Sequence, residues 1–208
     1  MPIMAAENIP RVSATLRLEP CAYSLSKPPT LHLEITSYHN SPITIFADDL
    51  SPEWMLRNGT ALIIMDLAGD RVVEQVKRRP CRIPPPSSVS VPLIESKLYT
   101  LYPEQPLILA APFFINPKKQ NNSSERDIET DERQSDDQPF IPGHRYKVSL
   151  SGHRHLPWDS IRWWEHGTKE EVLRRGPDGR EVRYGNSPHG TIAVDISRIH
   201  PIVFECTE

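Results

Sequence analysis

Short runs of strictly alternating apolar and polar residues, repeatedly interrupted by proline, constrain this chain more than any other feature. Leu31, Leu33 and Ile35 alternate with His32, Glu34 and Thr36. Tyr146, Val148 and Leu150 alternate with Arg145, Lys147 and Ser149, and Ile192, Val194 and Ile196 with Ala193, Asp195 and Ser197. Successive side chains of a strand point to opposite faces, so each run is a ribbon with one buried side and one wet side. The 22 prolines are about twice the average usage. Lacking an N–H, they mark strand ends, edges and loops.

Further runs of this kind fill the chain. Val12 to Leu18, Leu31 to Tyr38 and Ile43 to Phe46 read as strands, and Ala61 to Leu67 with Arg71 to Val76 as a hairpin across Ala68-Gly69-Asp70. Val89 to Ile94, Leu98 to Phe114, His144 to Gly152, Ser160 to Trp164, Glu181 to Tyr184, Thr191 to Ile196 and Ile202 to Cys206 continue the set. Asp48 to Arg57 is a connection with room for one helical turn. The pattern predicts an all-β, Ig-like antiparallel β-sandwich, two sheets burying their inner faces together.

Two segments depart from the rhythm. Pro117 to Gln138 has Ile128 as its sole large apolar residue, which predicts a disordered acidic insertion within a single domain spanning residues 1–208. Thr168-Lys-Glu-Glu171 is a capping box, predicting one short inserted helix from Thr168 to Arg175, closed by Gly176-Pro177.

Bulk properties exclude several classes. A net charge of −3 with one small basic cluster, Lys77-Arg-Arg79 and Arg82, argues against nucleic acid as a partner. No run approaches the ~20 apolar residues of a membrane span, and the first residues lack the signal-peptide pattern. Cys21, Cys81 and Cys206 are an odd set without C-x-x-C spacing, which points to a reducing, cytoplasmic setting. Cys206, in phase with Ile202 and Phe204, reads as a small buried hydrophobe. No nucleotide fingerprint or nucleophile elbow is present, so no cofactor is implied.

Two constellations carry candidate chemistry. His153-Arg-His155 followed by Asp159 could ligate a metal, with Glu165, His166 and His189 downstream. It is similar to the first cupin motif, with Asp159 at the Glu position, although Ala193 stands where the second motif has its His. Strand parity also turns His153 and His155 outward unless Gly152 sits in a bulge. The second constellation is Trp158, Arg162, Trp164 and His166, a Trp and Arg composition typical of interaction hot spots. Alternation pairs Trp163 with Ile161 on the core side and sets Trp164 opposite with Arg162 and His166. Packing of both rings beneath the Thr168 helix is equally compatible with the spacing.

The succession Leu31-His-Leu-Glu-Ile-Thr36, Ser41-Pro-Ile-Thr-Ile45, Tyr99-Thr-Leu-Tyr-Pro-Glu104, Gly143-His-Arg-Tyr-Lys-Val148 and Trp163 to Leu173 resembles Ig-like β-sandwich proteins of filamentous fungi. The first four stretches also resemble the sandwich in the pro-segments of deuterolysin-type metalloproteases. Together these features lead us to expect a non-enzymatic cytoplasmic sandwich that binds another protein through the region from Trp158 to Val172. The alternative is a small enzyme of fungal specialised metabolism, metal-dependent and cupin-like or working by His/Asp acid–base chemistry.

Overall fold

The structure is a computed structural model that describes residues 9–47, 50–59, 61–75, 88–90, 95–115, 140–151, 159–174, 181–183 and 189–207. The expected insertion at 117–138 lies outside the described residues, as does Cys81. Among the described residues the chain forms fifteen strands and two short helices, so it is mostly β.

The longest ribbons build the first sheet. β1 (Val12–Glu19) and β3 (Thr30–Ser37) pair antiparallel, with Leu16 opposite Leu33 and Leu18 opposite Leu31. The directly opposed apolar residues share one face and are buried. On the other face Arg17 lies opposite His32 and Thr15 opposite Glu34, and Arg17 Nε approaches Glu34 Oε1 at 2.9 Å. β9 (Leu107–Pro112) adds to β3, while β14 (Ile192–Asp195) runs parallel to β1 and carries β11 (Ser160–Ile161) on its far side.

A second five-stranded sheet has the order β2 (Ala22–Tyr23), β15 (Ile202–Cys206), β10 (Arg145–Leu150), β5 (Leu62–Asp66), β6 (Arg71–Val72). The expected hairpin is there: Met65 pairs with Val72 and Asp66 with Arg71. An aromatic cluster fills the core on this side. Phe140 lies 4.5 Å from Tyr23, 5.1 Å from Phe204 and 4.7 Å from Tyr146 between ring centroids, and Phe113 packs edgewise on Phe204 at 5.7 Å. Such pairs add about 0.5–1.5 kcal/mol each beyond the area they bury. Cys206 is buried as its phase indicated, and Cys21 is exposed.

A third sheet orders β12 (Trp164–His166), β4 (Ile43–Phe46) and β8 (Leu98–Leu101), and a fourth pairs β13 (Glu181–Arg183) with β7 (Ser88–Ser90). The stretch from Leu98 to Phe114 supplies two strands, β8 and β9. Tyr102-Pro-Glu-Gln-Pro106 turns the chain, with Glu104 in the left-handed region at φ 56 and its N–H donating to the Ser37 carbonyl at 2.8 Å. Proline cannot extend a ladder, so β8 joins β4 while β9 joins β3.

Both helices are set by local chemistry. α1 (Pro52–Asn58) exceeds the single turn allowed by the sequence reading, because Ser51 caps it by accepting from the Trp54 N–H at 3.2 Å and Gly59 ends it at φ 65. α2 (Lys169–Arg174) begins at the expected capping box: Glu171 N–H donates to Thr168 Oγ1 at 3.3 Å, and Thr168 N–H to Glu171 Oε2 at 2.8 Å. Among the described residues no helix is long and apolar enough to cross a membrane.

Candidate functional site

The region expected to form a binding surface is built differently from its sequence phase. Trp164 is fully buried in the main core, and Trp163 is buried in a smaller cluster with Phe46, Leu98 and Val172. The placement of Trp164 opposite the core side, with Arg162 and His166, is therefore corrected. Residues 160–166 are not one strand. β11 pairs with β14 in the first sheet, β12 pairs with β4 in the third, and the break at Arg162-Trp163 resets the alternation. Val172 of α2 covers Trp163, so the packing alternative holds for that ring, while Trp164 packs in the main core instead. Arg162 and Asp159 are exposed, while Trp158, His153 and His155 lie outside the described residues.

The structure does bring together three residues named downstream of the metal motif. Glu165 Oε1 is 3.2 Å from His189 Nε2, and the His166 and His189 rings are 5.5 Å apart. His39, from the turn after β3, joins them at 5.6 Å from His166. Sequence spacing could not reveal this partner, since the contact depends on the His166 to Ile43 register between β12 and β4. Burial and the adjacent His166 push the His39 imidazole below its ordinary value. The Trp164 indole lies against this group, 4.9 Å from the His166 ring and 5.1 Å from the His189 ring, and its buried Nε1 has no hydrogen-bond partner among the described residues. Among the described residues no set of three or more His, Cys, Asp or Glu is arranged to hold a metal ion.

A second constellation escaped the sequence reading. Asp66 ends β5 on its inward phase after Leu62 and Ile64, so a carboxylate stands where an apolar side chain belongs. Its side chain is only 1 % exposed. Donors surround it: the Ala68 N–H at 3.0 Å and the Gly69 N–H at 3.4 Å reach Oδ1, and His144 Nδ1 lies 3.1 Å from Oδ1 and 3.0 Å from Oδ2. Arg71 Nε stands 3.4 Å from Oδ2. Burial alone would raise the Asp66 carboxyl. The hydrogen bonds from His144, Ala68 and Gly69, with the charge of His144, outweigh it and hold the group below the usual carboxylate range.

An ionised carboxylate only accepts, so His144 Nδ1 carries the proton and neutral His144 leaves Nε2 as a bare acceptor. The ring stacks over Tyr146 at 6.4 Å and keeps 31 % of its side chain in solvent. Tyr146 is fixed below it, accepting the Ile141 N–H at 2.7 Å, and burial raises its phenol. The available signal was the same for both partners. His144, like Asp66, is a polar residue on the apolar phase of its ribbon, two positions before Tyr146.

No protein-family model, curated protein or solved structure is significantly similar to this chain.

Proposed function

We propose that this chain is a cytoplasmic β-sandwich of the Ig-like type whose work is to bind another protein, and that the partner docks on the outer face of the second sheet. One observation carries the reading. That face should be polar, yet Met65 and Val72 stand directly opposed on it, with Ile63 two residues before Met65 and Val203 beyond Lys147 in the same row. Val72 is 53 % exposed and Leu67, at the end of the stripe, 43 % exposed. An exposed apolar patch of Val72, Ile63 and Leu67 around Met65, with Lys147 beside it, is the signature of an interaction surface. Burial of Trp164 speaks against a contact at the Trp cluster and in favour of this face. Two five-stranded sheets with an aromatic core support the Ig-like type, and the odd set of three cysteines without C-x-x-C spacing supports a reducing compartment.

A photo-crosslinking side chain placed at Val72 or Ile63 should trap one partner of defined mass in an extract of native cells, and the same group at Thr36 on the first sheet should trap none. Val72→Asp with Ile63→Lys should abolish capture while changing stability by no more than about 0.5 kcal/mol per site, as exposed substitutions do. Equal trapping from both faces would remove the basis for this assignment.

The enzyme reading has one specific observation in its favour, the carboxylate–imidazole pair of Asp66 and His144.

A further inference from the structure

We propose that His144 Nε2 is a general base at a hydrolytic site for small carboxylic esters that carry a second, anionic group. The inference rests on the acid–base reading of the Asp66–His144 pair and adds to it a substrate class.

Three features of the site support it. Asp66 orients the ring by holding Nδ1 with both carboxylate oxygens, which directs the basic Nε2 away from the buried carboxylate and toward solvent. Arg71, 55 % exposed, stands with its Nε 3.4 Å from Asp66 Oδ2, which sets a guanidinium beside the imidazole where it can meet an anion. Two exposed apolar residues are tied through the backbone next to His144: the Leu67 N–H binds the carbonyl of Arg145, the residue after His144, and the His144 N–H binds the Ile141 carbonyl. A short carbon chain ending in a carboxylate suits a base with a cation beside it and apolar residues nearby.

The step balances with water as the co-reactant. Nε2 takes a proton from water as the oxygen adds to the ester carbonyl carbon, giving a tetrahedral intermediate and an imidazolium. Collapse breaks the carbon–oxygen bond of the leaving group, which takes the proton back from Nε2. The products are one acid and one alcohol, and His144 is regenerated. Asp66 touches neither reactant and is a positioning residue.

The test uses the full chain with mono-p-nitrophenyl succinate as the anionic ester and p-nitrophenyl acetate as the neutral one. The wild type should hydrolyse the succinate with saturation, at least about 100-fold faster than equimolar free imidazole, a typical general-base contribution. His144→Gln, with unchanged melting temperature, should fall to the imidazole background, whereas His200→Gln at an exposed position should not change the rate. Arg71→Gln should lose about tenfold on the succinate, the worth of one charge-assisted contact, and nothing on the acetate. Asp66→Asn removes a turn cap and is at risk of not folding, so the role of Asp66 is read instead in the wild type. Nitrogen NMR should show His144 as the Nδ1–H tautomer. Undiminished turnover by His144→Gln, or an Nε2–H tautomer, would overturn both the proposal and the acid–base reading beneath it. Equal loss of both esters in Arg71→Gln would overturn the anionic substrate class alone.

Discussion

Single side chains on the wrong phase of a ribbon are the most informative residues in this molecule. Trp164 is a core ring whose N–H is left without a partner among the described residues, a state that costs about 1–3 kcal/mol. Trp164→Phe should therefore cost much less than Trp164→Ala, which empties core volume and should lose about 3–5 kcal/mol by chemical denaturation. Trp163→Ala should be comparably damaging, since its ring is buried too. Asp66 makes the acid limb of stability predictable. Its folded carboxyl lies below the unfolded value of about 3.9, so its contribution is complete above that value and disappears as pH falls through the folded one. His39 acts in the same direction at higher pH. Its depressed folded value means stability is complete above about 6.5, the unfolded value, and declines as pH drops toward the folded one. Urea titrations across pH should show the His39 part of the slope just below about 6.5 vanish in His39→Gln.

At the scale of elements, local chemistry decides what forms and neighbours decide where it goes. Thr168→Ala should destabilise by about 1 kcal/mol, because it removes the acceptor for the Glu171 N–H at the start of α2. Gly59→Ala should cost about as much, since φ 65 suits glycine and few other residues. The capping box could be seen in the sequence because every group it uses lies within four residues. The ribbons of β1, β3, β10 and β15 were visible for a similar reason, as side-chain alternation is a local property. What could not be seen was allegiance to a sheet. The residues 160–166 carry one apparent phase, yet the first part pairs with Ile192 and Ala193 and the last with Ile43 to Ile45. Asp66 and His144 are 78 residues apart, and their meeting depends on the register that sets Tyr146 opposite Asp66. The mispatterned positions were visible; the partnership was not.

For the whole molecule, the core is held where strands from distant parts of the sequence deliver aromatic rings to one place. Ile115 and Phe140, the last and first described residues around the stretch 116–139, are both buried. Replacing residues 118–137 with a shorter Gly/Ser linker should thus leave the midpoint of thermal unfolding nearly unchanged, loop closure contributing only about 0.6 kcal/mol per doubling of length. A large drop would show that this stretch contributes packing. The two parallel pairings have a wider consequence. β14 lies between β11 and β1, and β15 between β2 and β10, so each large sheet has an interior position filled from residues 192–206. On the ribosome neither sheet can be completed until that stretch has been synthesised. Until then β1 and β10 each wait with an open edge, a state that is slow to resolve and prone to aggregate. Newly made chains should depend on chaperones in proportion to that delay, and a stop codon before Ile192 should leave two unfinished sheets rather than one trimmed domain.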